Sequence, residues 1–230
     1  IGNHGTSYDY FNGDVDETNI NYAFLSSSWI KVDYYASDDN LLTFNSIESI
    51  SKAIDAGLAQ QSYYFDGSSY IDCGNDSSIN INTSAITLAC YIKPNGNTDY
   101  NGIIDKNYGE AYALYTGGDD ESMKFYVQTS DGQFSIAVNG TIANEWNHVI
   151  GVYDGSNIKI YIEGELIDST SASGSIQTNS QNLYLGIRKA VNNYFQGNIQ
   201  YAQVIARALS DEECKILYNM TNPNQKQNMS

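Results

Sequence analysis

Glu145-Trp146-Asn147-His148-Val149-Ile150-Gly151-Val152-Tyr153-Asp154-Gly155 runs on through Ser156-Asn157-Ile158-Lys159-Ile160-Tyr161-Ile162-Glu163-Gly164-Glu165-Leu166. From Ile158 to Glu163 apolar and polar side chains alternate, as a strand with one buried face requires. Glu163-Gly164 separates that run from the next, and glycine there accepts the positive φ of a two-residue hairpin turn. Asp154-Gly155 and Asp131-Gly132 carry the same signal. The stretch predicts consecutive antiparallel strands.

Working outward, the same reading predicts strands at 61–65, 70–72, 86–93, 102–106, 111–116, 124–128, 134–138, 147–153, 157–163, 165–169, 182–187 and 197–206. Many short strands separated by turn residues indicate a sandwich or barrel. One helix is predicted near the C-terminus. Ser210 precedes Glu213 by three residues, the capping-box spacing, and Cys214, Ile216, Leu217 and Tyr218 follow. A second short helix is predicted between 44 and 59, where Ile47, Ile50, Ala53 and Ile54 have helical spacing. No repeat or linker divides the chain, so 1–220 reads as one domain, followed by a polar tail at 221–230.

The 230 residues include 11 Lys+Arg and 27 Asp+Glu, a net charge of −16. Affinity for nucleic acid rests on clustered basic residues, so this balance argues against that partner. No run of about 18 apolar residues exists to span a membrane as a helix. Charged residues are 17% of the chain and aromatics 13%, with 20 tyrosines, which excludes a coiled coil or a disordered acidic tail. Cys73, Cys90 and Cys214 have no metal-ligand spacing and allow at most one disulfide. Cys90 and Cys214 lie in apolar surroundings and read as buried small hydrophobes. Sequons begin at Asn75, Asn82, Asn139, Asn219 and Asn228. They favour an extracellular location or a cell or virion surface.

Several segments, taken in order, carry a family likeness. Phe65-Asp66-Gly67-Ser68-Ser69-Tyr70-Ile71 is followed by Ile86-Thr87-Leu88-Ala89-Cys90-Tyr91-Ile92-Lys93-Pro94 and Ile103-Ile104-Asp105-Lys106. The opening stretch from Glu145 to Leu166 comes next. Leu185-Gly186, Phe195-Gln196-Gly197-Asn198-Ile199 and Arg207-Ala208-Leu209-Ser210-Asp211-Glu212-Glu213 close the series. Together they resemble laminin-G-like, concanavalin A-like lectin/glucanase domains over about 63–220, with a weaker opening at 8–17. The resemblance implies an all-β, antiparallel two-sheet jelly roll with one short C-terminal helix, and an insertion at about 20–58. Tyr91 stands where the family usually has Trp. Gln200-Tyr201 replaces an acidic pair, removing ligands for any metal that relatives hold there.

The family includes glycoside hydrolases, so catalysis needs a test at residue level. A retaining enzyme sets two carboxyl groups about 5–5.5 Å apart. Glu163 and Glu165 have suitable spacing, but a hairpin turn between them makes them diverge. Asp211-Glu212-Glu213 is explained by helix capping and dipole. Of the two histidines, His4 has no placed surroundings and His148 reads as packed. These residues predict no enzyme.

Acidic loops could supply oxygen ligands for calcium. The resemblance implies a structural Ca²⁺ held by Asp14, Asp16 and Asp66. Tyr100, Tyr108, Tyr115 and Tyr194 lie in polar surroundings near Asn97 and Asn193. Aromatic faces beside amide donors and acceptors can hold a sugar ring or a protein partner. The expected function is non-catalytic recognition or adhesion toward glycans or surface proteins. The rival is a structural subunit of a filament, sheath or virion surface, self-assembling through its N-terminal segment. A glycoside hydrolase is the third reading.

Overall fold

The computed structural model describes residues 62–221. Its strands are β1 (Tyr63–Asp66), β2 (Ile71–Asp72), β3 (Ile86–Pro94), β4 (Gly102–Asp105), β5 (Tyr112–Thr116), β6 (Ser122–Thr129) and β7 (Gly132–Asn139). They continue as β8 (Asn147–Tyr153), β9 (Asn157–Ile162), β10 (Glu165–Ser171), β11 (Tyr184–Leu185), β12 (Ile187–Arg188), β13 (Asn193–Tyr194) and β14 (Gln196–Ile205). Helix α1 (Asp211–Thr221) follows. One sheet runs β1-β14-β3-β8-β9-β10. The larger runs β12-β13-β4-β5-β6-β7, with β11 joining β4 to β2. Among the described residues, pairing is antiparallel except for a single parallel contact between Tyr194 and Gly102. The expected two-sheet sandwich is present.

Alternation places Tyr112 and Leu114 of β5, and Met123, Phe125 and Val127 of β6, between the sheets. They meet Leu88, Cys90 and Ile92 of β3 and Ile158 and Ile160 of β9. β3 is buried on both faces, because both are covered. Its Ala89, with Ile150, Val152 and Tyr161, packs beneath Leu209, Cys214 and Leu217 of the helical segment. Cys90 and Cys214 are buried as expected, and all three cysteines are free thiols.

The β9–β10 turn falls at Glu163-Gly164, with φ of 54° and 78°. The β6–β7 turn sits one residue earlier than expected: Thr129 faces Gly132, leaving Ser130-Asp131 as the turn. The helix start matches its sequence signal. Ser210 Oγ accepts from Glu213 N at 3.2 Å, and Glu213 Oε2 accepts from Ser210 N at 2.8 Å. The strand expected at 182–187 is instead two short strands broken at Gly186, whose φ is 81°. β13 lies outside every predicted strand. The predicted helix at 44–59, the insertion at 20–58 and the tail beyond 221 lie outside the described residues.

Candidate functional site

On the outer face of the larger sheet, Ala113 and Tyr115 of β5 and Tyr126 of β6 form a third apolar cluster, against which Tyr108 packs. These positions are one residue out of phase with the core-facing ones, as strand geometry demands. Tyr108 meets Tyr126 with ring centres 4.6 Å apart and Tyr115 at 5.4 Å. Tyr100, from the β3–β4 loop, stands edge-on to Tyr115 at 6.4 Å. Three of the four expected tyrosines thus come together. Tyr100 is 38% exposed and Tyr108 half-buried, but Tyr115 is only 3% exposed. Tyr115 is therefore the floor of the cluster, not the exposed platform expected from its polar neighbours.

Two cations complete the cluster, and the sequence reading missed both. The Arg188 guanidinium carbon lies 4.7, 5.3 and 5.6 Å from the ring centres of Tyr108, Tyr115 and Tyr100. Lys124 Nζ lies 4.5 Å from the Tyr100 ring centre. Arg188 reaches this place because β12 crosses close to β4. A Cβ on Gly102 would stand 2.1 Å from Arg188 N, so the crossing requires glycine. Asp105 fastens the same corner: its Oδ1 accepts from Tyr108 N at 2.7 Å and its Oδ2 from Lys189 N at 2.8 Å. Burial pushes this carboxyl up to about 6, against the opposing pull of those N–H groups and of Arg188.

Tyr194 belongs to a neighbouring cluster, 6.2 Å from Tyr70. There Lys189 Nζ lies 4.3 Å from the Tyr70 ring centre. Tyr194 also lines a polar cleft of about 310 Å³, together with Asn97, Asp99 and Asn101 on either side of Tyr100 in sequence, Asn193 and Gln196. Asn193 Nδ2 donates to Asp99 Oδ2 at 3.0 Å and steadies the Tyr100 loop. Asn97 is 6% exposed, and its amide is consumed inside the protein. It donates to Asp120 Oδ1 and the Gln196 carbonyl and accepts from Gln196 N. Its side chain closes a loop at the wall of the cleft, with its amide hydrogens directed to protein acceptors.

Glu163 and Glu165 part as expected. Glu163 Oε1 accepts from His148 N at 2.7 Å, whereas Glu165 pairs with Lys215 of α1 at 2.8 Å. His148 is packed against Tyr91, 4.6 Å between ring centres, and burial pulls it down to about 3.

Of the expected calcium ligands, Asp14 and Asp16 lie outside the described residues. Asp66 Oδ1 accepts from Ser68 N, Ser68 Oγ and Ser69 N, and these bonds hold its carboxyl down at about 2. One of its oxygens is thus committed to its own turn. Among the described residues no group of three His, Cys, Asp or Glu side chains could hold a metal ion.

Asn75, Asn82, Asn139 and Asn219 are exposed, and Asn228 lies outside the described residues. Asn75 Oδ1 accepts from Lys106 Nζ at 2.5 Å. The Thr221 hydroxyl of the Asn219 sequon is buried and donates to the Leu217 carbonyl at 2.6 Å.

A family model described as the concanavalin A-like lectin/glucanases superfamily matches residues 65–215. No curated protein matches the sequence. Among solved structures, the CBM40 of the Ruminococcus gnavus IT-sialidase, bound to alpha2,3 sialyllactose, is similar at 17% identity and TM-score 0.57. That match covers 69% of this chain and 97% of that one. The binding domain of Paraclostridial Mosquitocidal Protein 1 is similar at 17% identity and TM-score 0.54, over 70% of this chain and 46% of that one. The Botulinum neurotoxin serotype G binding domain follows at 14% identity and TM-score 0.54, over 68% and 46%. The chain thus spans less than half the length of these two toxin domains.

Proposed function

The chain belongs to the concanavalin A-like lectin/glucanases superfamily, and from that premise we propose that it is a non-catalytic carbohydrate-binding domain. Its contact surface is the Tyr100–Tyr108 end of the larger sheet's outer face. The observation that carries this reading is the gathering of Tyr100 and Tyr108 over a buried tyrosine floor, beside a cleft of amide side chains. Aromatic rings with adjacent hydrogen-bonding groups suit a sugar's apolar face and its hydroxyl rim. The sialyllactose held by the similar CBM40 supports the ligand class, and the divergent Glu163 and Glu165 support the absence of hydrolysis. The exposed sequon asparagines support action outside the cell or on its surface, in recognition or adhesion.

A glycan array followed by titration calorimetry tests the proposal. Tyr100→Ala and Tyr108→Ala are each expected to weaken the best glycan about tenfold, as loss of a well-packed aromatic contact does. A folded wild-type protein that binds no glycan refutes it.

One observation favours the structural-subunit reading. Among the described residues β10 is an edge strand, and its seven residues are all exposed, with Leu166 and Ile167 open to solvent. Unpaired edges are templates for pairing with another chain. Size-exclusion chromatography decides the matter. A monomer at micromolar concentration, unchanged by Ile167→Lys, sets that reading aside.

A further inference from the structure

Among the described residues, Arg188 has no hydrogen-bonded counter-ion. Its guanidinium is surrounded by tyrosine rings, yet it makes no hydrogen bond or ion pair with any described residue, and its Nε is enclosed with no acceptor. The chain does not lack carboxylates. Lys159, Arg207 and Lys215 each hold one, at 2.9, 2.8 and 2.8 Å. Asp105 acts electrostatically on Arg188, but each of its oxygens is already taken by a backbone N–H. Lys124, the second cation on Tyr100, also forms no ion pair with a described residue. The enclosed Nε is beyond a ligand's reach, so the donors open to a partner are the two terminal amino groups, which no described residue engages.

The kind of partner follows from geometry. A guanidinium is a planar fork that matches the two oxygens of a carboxylate. Laid over aromatic rings, it keeps its N–H edge available for an acceptor in its own plane. We propose that Arg188, assisted by Lys124, receives the carboxylate of an acidic sugar, a uronic or a sialic acid, whose ring lies against Tyr100 and Tyr108. This rests on the carbohydrate-binding reading above and specifies its ligand class. In a chain of charge −16, such a patch accepts a single sugar carboxylate while the rest of the surface repels larger polyanions.

The test titrates the full chain with sialylated and glucuronate-terminated oligosaccharides and with the methyl ester of each. The ester keeps the sugar and removes the charge. Wild-type protein is expected to bind one free acid about tenfold or more tightly than its ester, the worth of a charge-assisted hydrogen bond. Arg188→Gln is expected to bind acid and ester alike. Arg188→Lys is expected to recover only part of the preference, because it lacks the fork. Lys124→Gln, farther from the crossing at Gly102, is expected to narrow the preference severalfold and serves if Arg188→Gln does not fold. Which free acid binds separates the sialic from the uronic source.

Equal binding of acid and ester by the wild type, or tightest binding to neutral or sulfated glycans, overturns the inference and leaves the carbohydrate-binding reading standing. Failure to bind any glycan overturns that reading, and the inference falls with it.

Discussion

Asp105 joins the β4 strand to both the Tyr108 loop and the Lys189 backbone, and its chemistry gives a pH signature. Its carboxyl rises from the ordinary 3.8 to about 6, chiefly through burial. Between those values the folded protein holds a proton that the unfolded chain has released. The stability due to this group is therefore present below about pH 4 and lost as pH rises through 6. His148 works in the opposite sense, because burial holds it neutral down to about pH 3. Its contribution is present above its ordinary 6.5 and lost as pH falls. The difference in Tm between wild type and Asp105→Asn isolates the first effect, and the wild-type advantage is expected to shrink as pH is raised from 4 to 6. A constant difference would mean that the carboxylate is ionised throughout. At this scale the sequence shows tyrosines but not partners. Tyr100 and Tyr108 could be picked out by their polar neighbours, whereas Arg188 is one cation remote in sequence from both, with no local pattern to mark it. Tyr115 and Tyr126 lie on strands whose outer face reads as solvent-facing until a loop is seen to cover it.

Among the elements, those with strong local rules were legible. The β9–β10 hairpin follows from Glu163-Gly164, and α1 from the reciprocal bonds of Ser210 and Glu213. Ser210→Ala is expected to cost about 1 kcal/mol, the usual worth of a helix N-cap, measured by denaturant unfolding. A cost near zero would mean that packing of Leu217 and Cys214 alone holds the helix. β11, β12 and β13 were not legible as separate strands, because two residues carry no periodicity and their pairing is set by distant partners. Their arrangement depends on Gly102. Gly102→Ala places a methyl group against the backbone of Ile187 and Arg188. It is expected to remove the acid preference even where the protein stays folded, read by calorimetry alongside a thermal melt. Unaltered binding by a folded Gly102→Ala would show that the crossing does not position Arg188.

For the whole molecule, the order of apolar segments and turn residues left a sandwich or a barrel open, and the family likeness of those segments selected the two-sheet sandwich, in which each sheet buries one face against the other. The proposed recognition surface is assembled differently. Tyr100, Tyr108 and Lys124 come from the β3–β6 region, while Arg188 arrives after the chain has passed through the other sheet and returned. No short contiguous peptide from this protein contains both halves. Cut in the 172–182 connection, neither piece should recognise a ligand by itself. Mixed, the two should regain recognition only as they reassemble, so the return of binding would serve as a clock for completion of the fold.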